Sequence, residues 1–351
     1  MKILYAVQGT GNGHLSRAKD VIPALMKRAE VDILVSGIQA DIELPFEVKY
    51  RLRGLSFIFG KKGGVDMLST YQSCRTREVW KEIRECPVQD YDLVINDFEP
   101  ISAWACKLRG KRCVGLSHQS SLRSKKVPMP HHNDPIGWLV LRYYAPCSSY
   151  YSFHFKKYDD NIFTPIIREE IRNQDILDEN HYTVYLPAYG DGKLLKVLSQ
   201  MKKVRWEVFS KHTTKTYHID NVKISPINAE AFIRSMASSR GVLCGAGFET
   251  PAEALYLCKK LLVIPMKGQF EQHFNAEGLK KMGVPVIKKL RKKNIKNILK
   301  WVDTEQYIPV YFPDETQFIV DKVLQEQPLP LIENIPTEKP LFPLLNLIRE
   351  R

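Results

Sequence analysis

No stretch of about 18 consecutive apolar residues occurs in this chain, so a membrane-spanning helix is not expected. The seven cysteines are scattered singly and form no Cys-x-x-Cys pair, which reads as a set of reduced, mostly buried thiols. The apolar run that begins at Lys2 leaves no room for a signal peptide, and a cytoplasmic location is expected. The chain shows no convincing Asp-x-Asp metal motif, and Asp159-Asp160 lies in a polar stretch without partners. His131 and His132 are adjacent, so their side chains would diverge in an extended segment, and no further ligands for zinc can be identified. No metal and no cofactor are therefore expected. Acidic residues are the scarcer charge, with 39 Asp and Glu against 52 Lys and Arg, a formal net charge of +13. The basic residues gather at Arg123–Lys126, at Lys202-Lys203 and above all across Lys288–Lys300. Such clusters attract phosphates of nucleotides, nucleic acids or anionic lipids, although most charge runs are solvated faces. No zinc finger, aromatic RNA-binding motif or recognition-helix pattern is present, so nucleic acid is not an expected partner.

With 351 residues, 44% hydrophobic and 26% charged, the chain is long enough for two α/β domains with full cores. Strands are expected near residues 2–7, 31–35, 48–52, 92–96 and 112–116, alternating with helical stretches as βαβ units require. A second series is expected near residues 182–186, 205–209, 222–225, 241–244 and 261–265. The expected organisation is a first Rossmann-like domain over 1–172, a linker over 173–181 and a second Rossmann-like domain over 182–330. A tail over 331–351 could return to the first domain or pack on a partner.

Two segments carry the chemistry. The run Gly241–Cys244 leads into Gly245-Ala246-Gly247 and then a helix opening near Thr250, with Phe248 and Glu249 in the turn. Glycines allow a ligand close to the backbone, and the helix N-terminus offers unpaired N–H groups that suit a diphosphate. Glu253, one turn on, can accept hydrogen bonds from a ribose diol. After the next strand, Gln269 and Gln272 can reach a sugar, with Asn275 and Ala276 following. At the other end of the sequence, the apolar run Lys2–Val7 is followed by Gln8, Gly9, Thr10, Gly11, Asn12, Gly13, His14 and, three residues on, Arg17. The alternate glycines do not fit the Gly-x-Gly-x-x-Gly dinucleotide fingerprint.

These segments resemble the GT-B glycosyltransferases, in particular the family 28 and MJ1255-like group. The match is carried by Thr250, Glu253, Pro265, Gln272, Asn275 and Ala276, and by the Gly-x-Gly-x-Gly-His-x-x-Arg loop ending at His14 and Arg17. Cys258-Lys259-Lys260 departs from the glycine–proline turn of that group. The resemblance implies a GT-B fold of two doubly wound α/β domains facing across a cleft. It also implies a nucleotide diphosphate sugar donor, for which a UDP-sugar is the expected form, and an acceptor that is lipid-linked or a glycan. His14 would then take the proton of the acceptor hydroxyl, a task suited to an imidazole titrating near neutral pH. Transfer would invert configuration and need no metal.

Asp97 or Glu99, at the end of the strand Asp92–Asn96, could orient His14 or contact the acceptor. Either could equally cap the helix that follows Pro100. His118 follows the next strand and either lines the acceptor cleft or belongs to a hydrogen-bonded polar loop. A lipid-linked acceptor would bring the basic chain to the inner face of a membrane. The same two-domain cleft also serves UDP-sugar 2-epimerase-like enzymes, and a non-catalytic nucleotide-sugar-binding protein could retain it.

Overall fold

The computed structural model describes residues 1–10, 12–37, 44–55, 59–60, 64–65, 76–130, 134–305 and 307–325. Two sheets organise them. The first contains β1 (Lys2–Gln8), β2 (Glu30–Ser36) and β3 (Tyr50–Leu52). A two-stranded hairpin of β4 (Phe59–Gly60) and β5 (Gly64–Val65) stands apart from it. The first sheet continues with β6 (Leu93–Asp97), β7 (Cys113–Leu116), β8 (Ser149–Phe153) and β9 (Ile162–Phe163). Its order is β3-β2-β1-β6-β7-β8-β9, parallel at every pairing. The second sheet is built from β10 (Tyr182–Tyr185), β11 (Trp206–Ser210), β12 (Tyr217–Ile219), β13 (Val222–Pro226), β14 (Gly241–Gly245) and β15 (Lys260–Ile264). Its order is β12-β13-β11-β10-β14-β15, and only the edge strand β12 is antiparallel.

The sequence explains this architecture. Ile3 to Val7 are fully buried, as expected of a central parallel strand covered on both faces. The helices, in chain order, are α1 (Asn12–Met26), α2 (Thr76–Glu85), α3 (Pro100–Leu108), α4 (His118–Ser121), α5 (Pro135–Tyr143) and α6 (Glu169–Arg172). They continue with α7 (Asp191–Leu198), α8 (Ala229–Ser238), α9 (Glu249–Tyr256), α10 (Phe270–Lys281), α11 (Ile295–Asp303) and α12 (Thr316–Gln325). In α8 the Asn228 side chain caps the N-terminus by accepting from the Ala231 N–H at 2.9 Å. One buried cluster runs from β1 and α1 through Phe153 and Phe155 to Phe248, Ala252 and Val263, so the packing is continuous between the two halves.

In each sheet the strand order reverses beside the first strand, between β1 and β6 and between β10 and β14. Open α/β sheets bind ligands in the crevice outside such a switch point, at the carboxyl ends of the strands. Both chemistry-bearing segments follow these strands.

Several features differ from the sequence expectation. Helix α1 begins at Asn12, so His14 stands in its first turn and not in a loop. Strands β8 and β12 and the β4–β5 hairpin were not anticipated. Helix α12, within the 182–330 stretch expected to form the second domain, lies instead on α1. There Arg28 donates to both oxygens of Asp321 at 2.8 Å, and Gln317 donates to the Ala24 carbonyl. Gly11, His131, His132 and the 331–351 tail lie outside the described residues.

Candidate active site

The first switch point brings β1, α1 and β6 together. After Gln8 the chain passes through Gly9, where a Cβ would stand 2.8 Å from Val35 Cγ1, and Thr10. Asn12 and Gly13 open α1, and a Cβ on Gly13 would press on Glu249 at 3.3 Å. His14 and Arg17 are three residues apart in α1 and therefore share a face. His14 Nδ1 lies 2.8 Å from Asp97 Oδ1. Arg17 donates through Nη2 to both Asp97 oxygens at 2.8 Å. Asp97 is fully buried. Burial alone would raise its pKa, but Arg17 and His14 hold the carboxyl below its ordinary range.

Glu99 has a different task. Phe98 adopts a left-handed conformation with φ 56°, and the next residue turns back onto α3. There Glu99 accepts from the N–H groups of Ile101 and Ser102 at 2.7 Å and from the hydroxyls of Ser36 and Ser102. The expectation of a catalytic Glu99 is therefore corrected: it is the N-cap of α3, and Asp97 alone of the two meets His14. Burial raises the Glu99 pKa, and these bonds offset part of that rise.

The second switch point encloses a cavity of about 100 Å³. One wall is the turn after β10, Tyr185 to Tyr189, and the other is the end of β14 with the start of α9. Of the residues expected at a donor, Gly245, Gly247, Thr250 and Gln272 line it. Ala246 is buried behind the lining, and its carbonyl accepts from buried Asn275 at 3.2 Å. Gln272 is steadied by accepting from the Met266 N–H at 2.9 Å. Gln269 stands just before α10, outside the lining. Glu253 is also outside it and nearly buried, because Arg168 donates to its Oε1 at 2.6 Å. A desolvated carboxylate takes the nearest buried cation, so Glu253, expected at the ribose, is paired here with Arg168.

The halves meet through further polar contacts. Glu249, in the first turn of α9, pairs with Arg17. Its pKa is nevertheless pushed up to about 8, because burial and the nearby Glu253 and Asp97 outweigh the Arg17 charge. His118 stacks on Phe248 with ring centres 4.6 Å apart, and its Nε2 meets Glu271 Oε1 at 2.8 Å. Gln119 donates to Glu271 Oε2 at 3.0 Å and reaches His14 Nε2 at 3.1 Å. For Glu271, burial is outweighed by His118, His14 and Gln119, and its pKa falls to about 2. Burial lowers the His118 pKa as well, against the pull of the Glu271 carboxylate. The sequence reading missed Gln119, Arg168 and Glu271. The one local signal was an acid immediately before Gln272.

The pattern of glycosyl transferase family 1 matches residues 1–303. The chain belongs to this family. Solved structures of similar fold include MurG of Acinetobacter baumannii, at 12% identity and a TM-score of 0.53, with all of both chains covered. UGT2 of Phytolacca americana, solved with UDP-2-fluoro-glucose and pterostilbene, is 12% identical with a TM-score of 0.54, covering 92% of this chain and 93% of that one. A UDP-N-acetylglucosamine 2-epimerase is 14% identical with a TM-score of 0.56, covering 93% and 98%. No match is found among curated proteins. These structures share the GT-B fold, two doubly wound α/β units facing across a cleft.

This glycosyltransferase holds, among its described residues, no group of three or more His, Cys, Asp or Glu arranged for a metal ion. The Asp90-Tyr91-Asp92 triplet lies before β6, where Asp92 accepts from the Lys2 N–H, at the opposite end of the strand from Asp97. No helix among the described residues is long and apolar enough to cross a membrane.

Proposed function

We propose that this glycosyltransferase moves a sugar from a nucleotide diphosphate sugar, UDP being the expected nucleotide, to an acceptor hydroxyl. Configuration inverts and no metal takes part. The observation that carries this reading is the His14–Asp97 contact at 2.8 Å. With Nδ1–H given to Asp97, the lone pair of Nε2 is the one that can accept a proton. The acceptor oxygen attacks the anomeric carbon opposite the diphosphate, and its proton passes to Nε2. The bond from the anomeric carbon to the phosphate oxygen breaks, and the departing diphosphate rests against the N–H groups opening α9. The acceptor is assigned to the half around the first sheet and the donor to the half around the second. The Gly-x-x-Thr-x-x-Glu run through Thr250 and Glu253 supports a place near the family 28 and MJ1255-like group. The acceptor in this reading is lipid-linked or a glycan. Lys288, Lys289, Arg291, Lys292, Lys293, Lys296 and Lys300 are all exposed and suit contact with an anionic membrane at the cytoplasmic face.

The test is thermal-shift titration with UDP, GDP, dTDP and their sugar conjugates, with and without EDTA, followed by product analysis. One nucleotide should raise the melting temperature with concentration. Transfer should survive EDTA, and loss of activity restored by manganese would end the metal-independent mechanism. His14→Ala should lower turnover by about 10²–10⁴ with nucleotide affinity unchanged. Equal loss of both would move His14 to donor binding or folding. A new sugar nucleotide formed from the donor alone would favour the epimerase reading.

A further inference from the structure

Gln119 is 4% exposed and lies between the proposed base and the second half of the molecule. Its amide nitrogen stands 3.1 Å from His14 Nε2 and 3.0 Å from Glu271 Oε2. Its orientation is fixed by charge. Turned over, the amide oxygen would face the Glu271 carboxylate, and two acceptors would meet without a proton between them. One N–H therefore goes to Glu271 and the other to His14 Nε2. The amide oxygen has no partner among the described residues. A buried acceptor without a partner is costly, and the two N–H contacts offset that cost.

His14 is thus held at both nitrogens, by Asp97 at Nδ1 and by Gln119 at Nε2. Nε2 is the atom to which the acceptor hydroxyl must give its proton. We propose that Gln119 caps the base and that its amide nitrogen marks the place taken by the acceptor hydroxyl oxygen, with Glu271 drawing the amide aside. This rests on the donor-transfer reading above and adds an ordering to it. While no acceptor is present, the capped Nε2 cannot take a proton from water. The activated sugar is then protected from hydrolysis, in which water would attack the anomeric carbon and lose its proton to Nε2 as the sugar–phosphate bond breaks. Glu271 stands in the first turn of α10, two residues after the N-cap Gln269, so the capping contact is anchored on the donor half. His118 holds the other Glu271 oxygen at 2.8 Å and keeps that carboxylate in place. Gln119 is by this account a positioning residue, acting through His14.

The test uses the full chain with Gln119→Met, which keeps the bulk and loses both N–H groups, and Gln119→Ala. Imidazole 15N NMR of the resting protein reads the contact directly. The Nε2 resonance of His14 should move in both variants while Nδ1 stays put. An unmoved Nε2 resonance in a folded variant would overturn the capping contact. Donor consumption without acceptor is the second readout. The ratio of hydrolysis to transfer should rise about tenfold in the variants, the equivalent of one hydrogen bond. A fall of both rates in proportion would reduce Gln119 to a structural residue and overturn the proposal. Wild type and variants that all leave every nucleotide sugar intact, with acceptors present as well as absent and the Nε2 shift observed, would overturn the donor-transfer reading and with it the role of the cap, while the contact itself stood.

Discussion

At the scale of single residues, Glu249 is held where the neutral form is preferred. Its ordinary value of 4.5 is pushed up to about 8 by burial, against the pull of Arg17. Between those values the folded protein binds a proton that the unfolded chain has lost, so stability falls as pH rises through that window. Glu249→Gln removes the titration. The variant should match the wild type near pH 5 and exceed it at pH 8.5 by a few kcal/mol, on the order of the shift itself. Melting curves across that range are the measurement, and parallel curves for the two proteins would show that Glu249 is not perturbed. Asp97 works with the opposite sign. Its lowered pKa stabilises the fold above the ordinary carboxylate value of 3.8, and that contribution is lost as pH falls through the lower folded value.

What could be read in advance at this scale follows from sequence distance. Thr250, Gln272 and the glycines Gly245 and Gly247 were legible because strand, turn and helix are local and their spacing is visible in a short window. The Gln119–Glu271 contact was not, because its partners are 152 residues apart and no periodicity connects them. Asp97 and Glu99 could not be told apart from the sequence, since a carboxylate at a strand end serves a base or a helix cap equally well. The choice was made by the turn at Phe98.

At the scale of elements, the N-terminus of α3 depends on Glu99. Its two oxygens meet two backbone N–H groups and two hydroxyls in a fully buried place. Glu99→Gln exchanges one acceptor for a donor that faces donors. The expected cost is about 1–3 kcal/mol in urea denaturation, the range for a lost cap or an unpaired buried group. Turnover per folded molecule should stay unchanged, and a large fall in it would return Glu99 to the catalytic list. Most strands were legible as apolar runs. Strand β8 was not, because Ser149 and Ser152 interrupt the apolar pattern of Ser149–Phe153, and pairing with β7 supplies what local preference does not. A comparable long-range constraint fixes Gly278 in α10, where a Cβ would lie 2.6 Å from the His154 ring.

At the scale of the whole molecule, two doubly wound sheets were legible because each alternates strand and helix in order. A return of the chain to its first half was expected of the 331–351 tail and not of α12, since nothing in the α12 sequence says which surface it covers. Ile319, Val320 and Val323 of α12 are buried, within the same cluster as Val21, Ile22 and Leu25 of α1. Burying such side chains stabilises by about 1.5–3 kcal/mol each. The Arg28–Asp321 pair adds little, because both side chains are well exposed to solvent, at 52% and 28%. Two truncations separate these effects. Removing residues 326–351 leaves α12 in place, whereas removing 316–351 strips the apolar cover from α1. The longer deletion should cost at least about 5 kcal/mol more than the shorter, a loss comparable to the whole stability of many domains. It should show as a collapsed or non-cooperative thermal transition, while Asp321→Ala in the full chain leaves the transition nearly unmoved. Equal melting temperatures for the two truncations would mean that α1 has no need of α12, and the first half would then be complete without the returning helix.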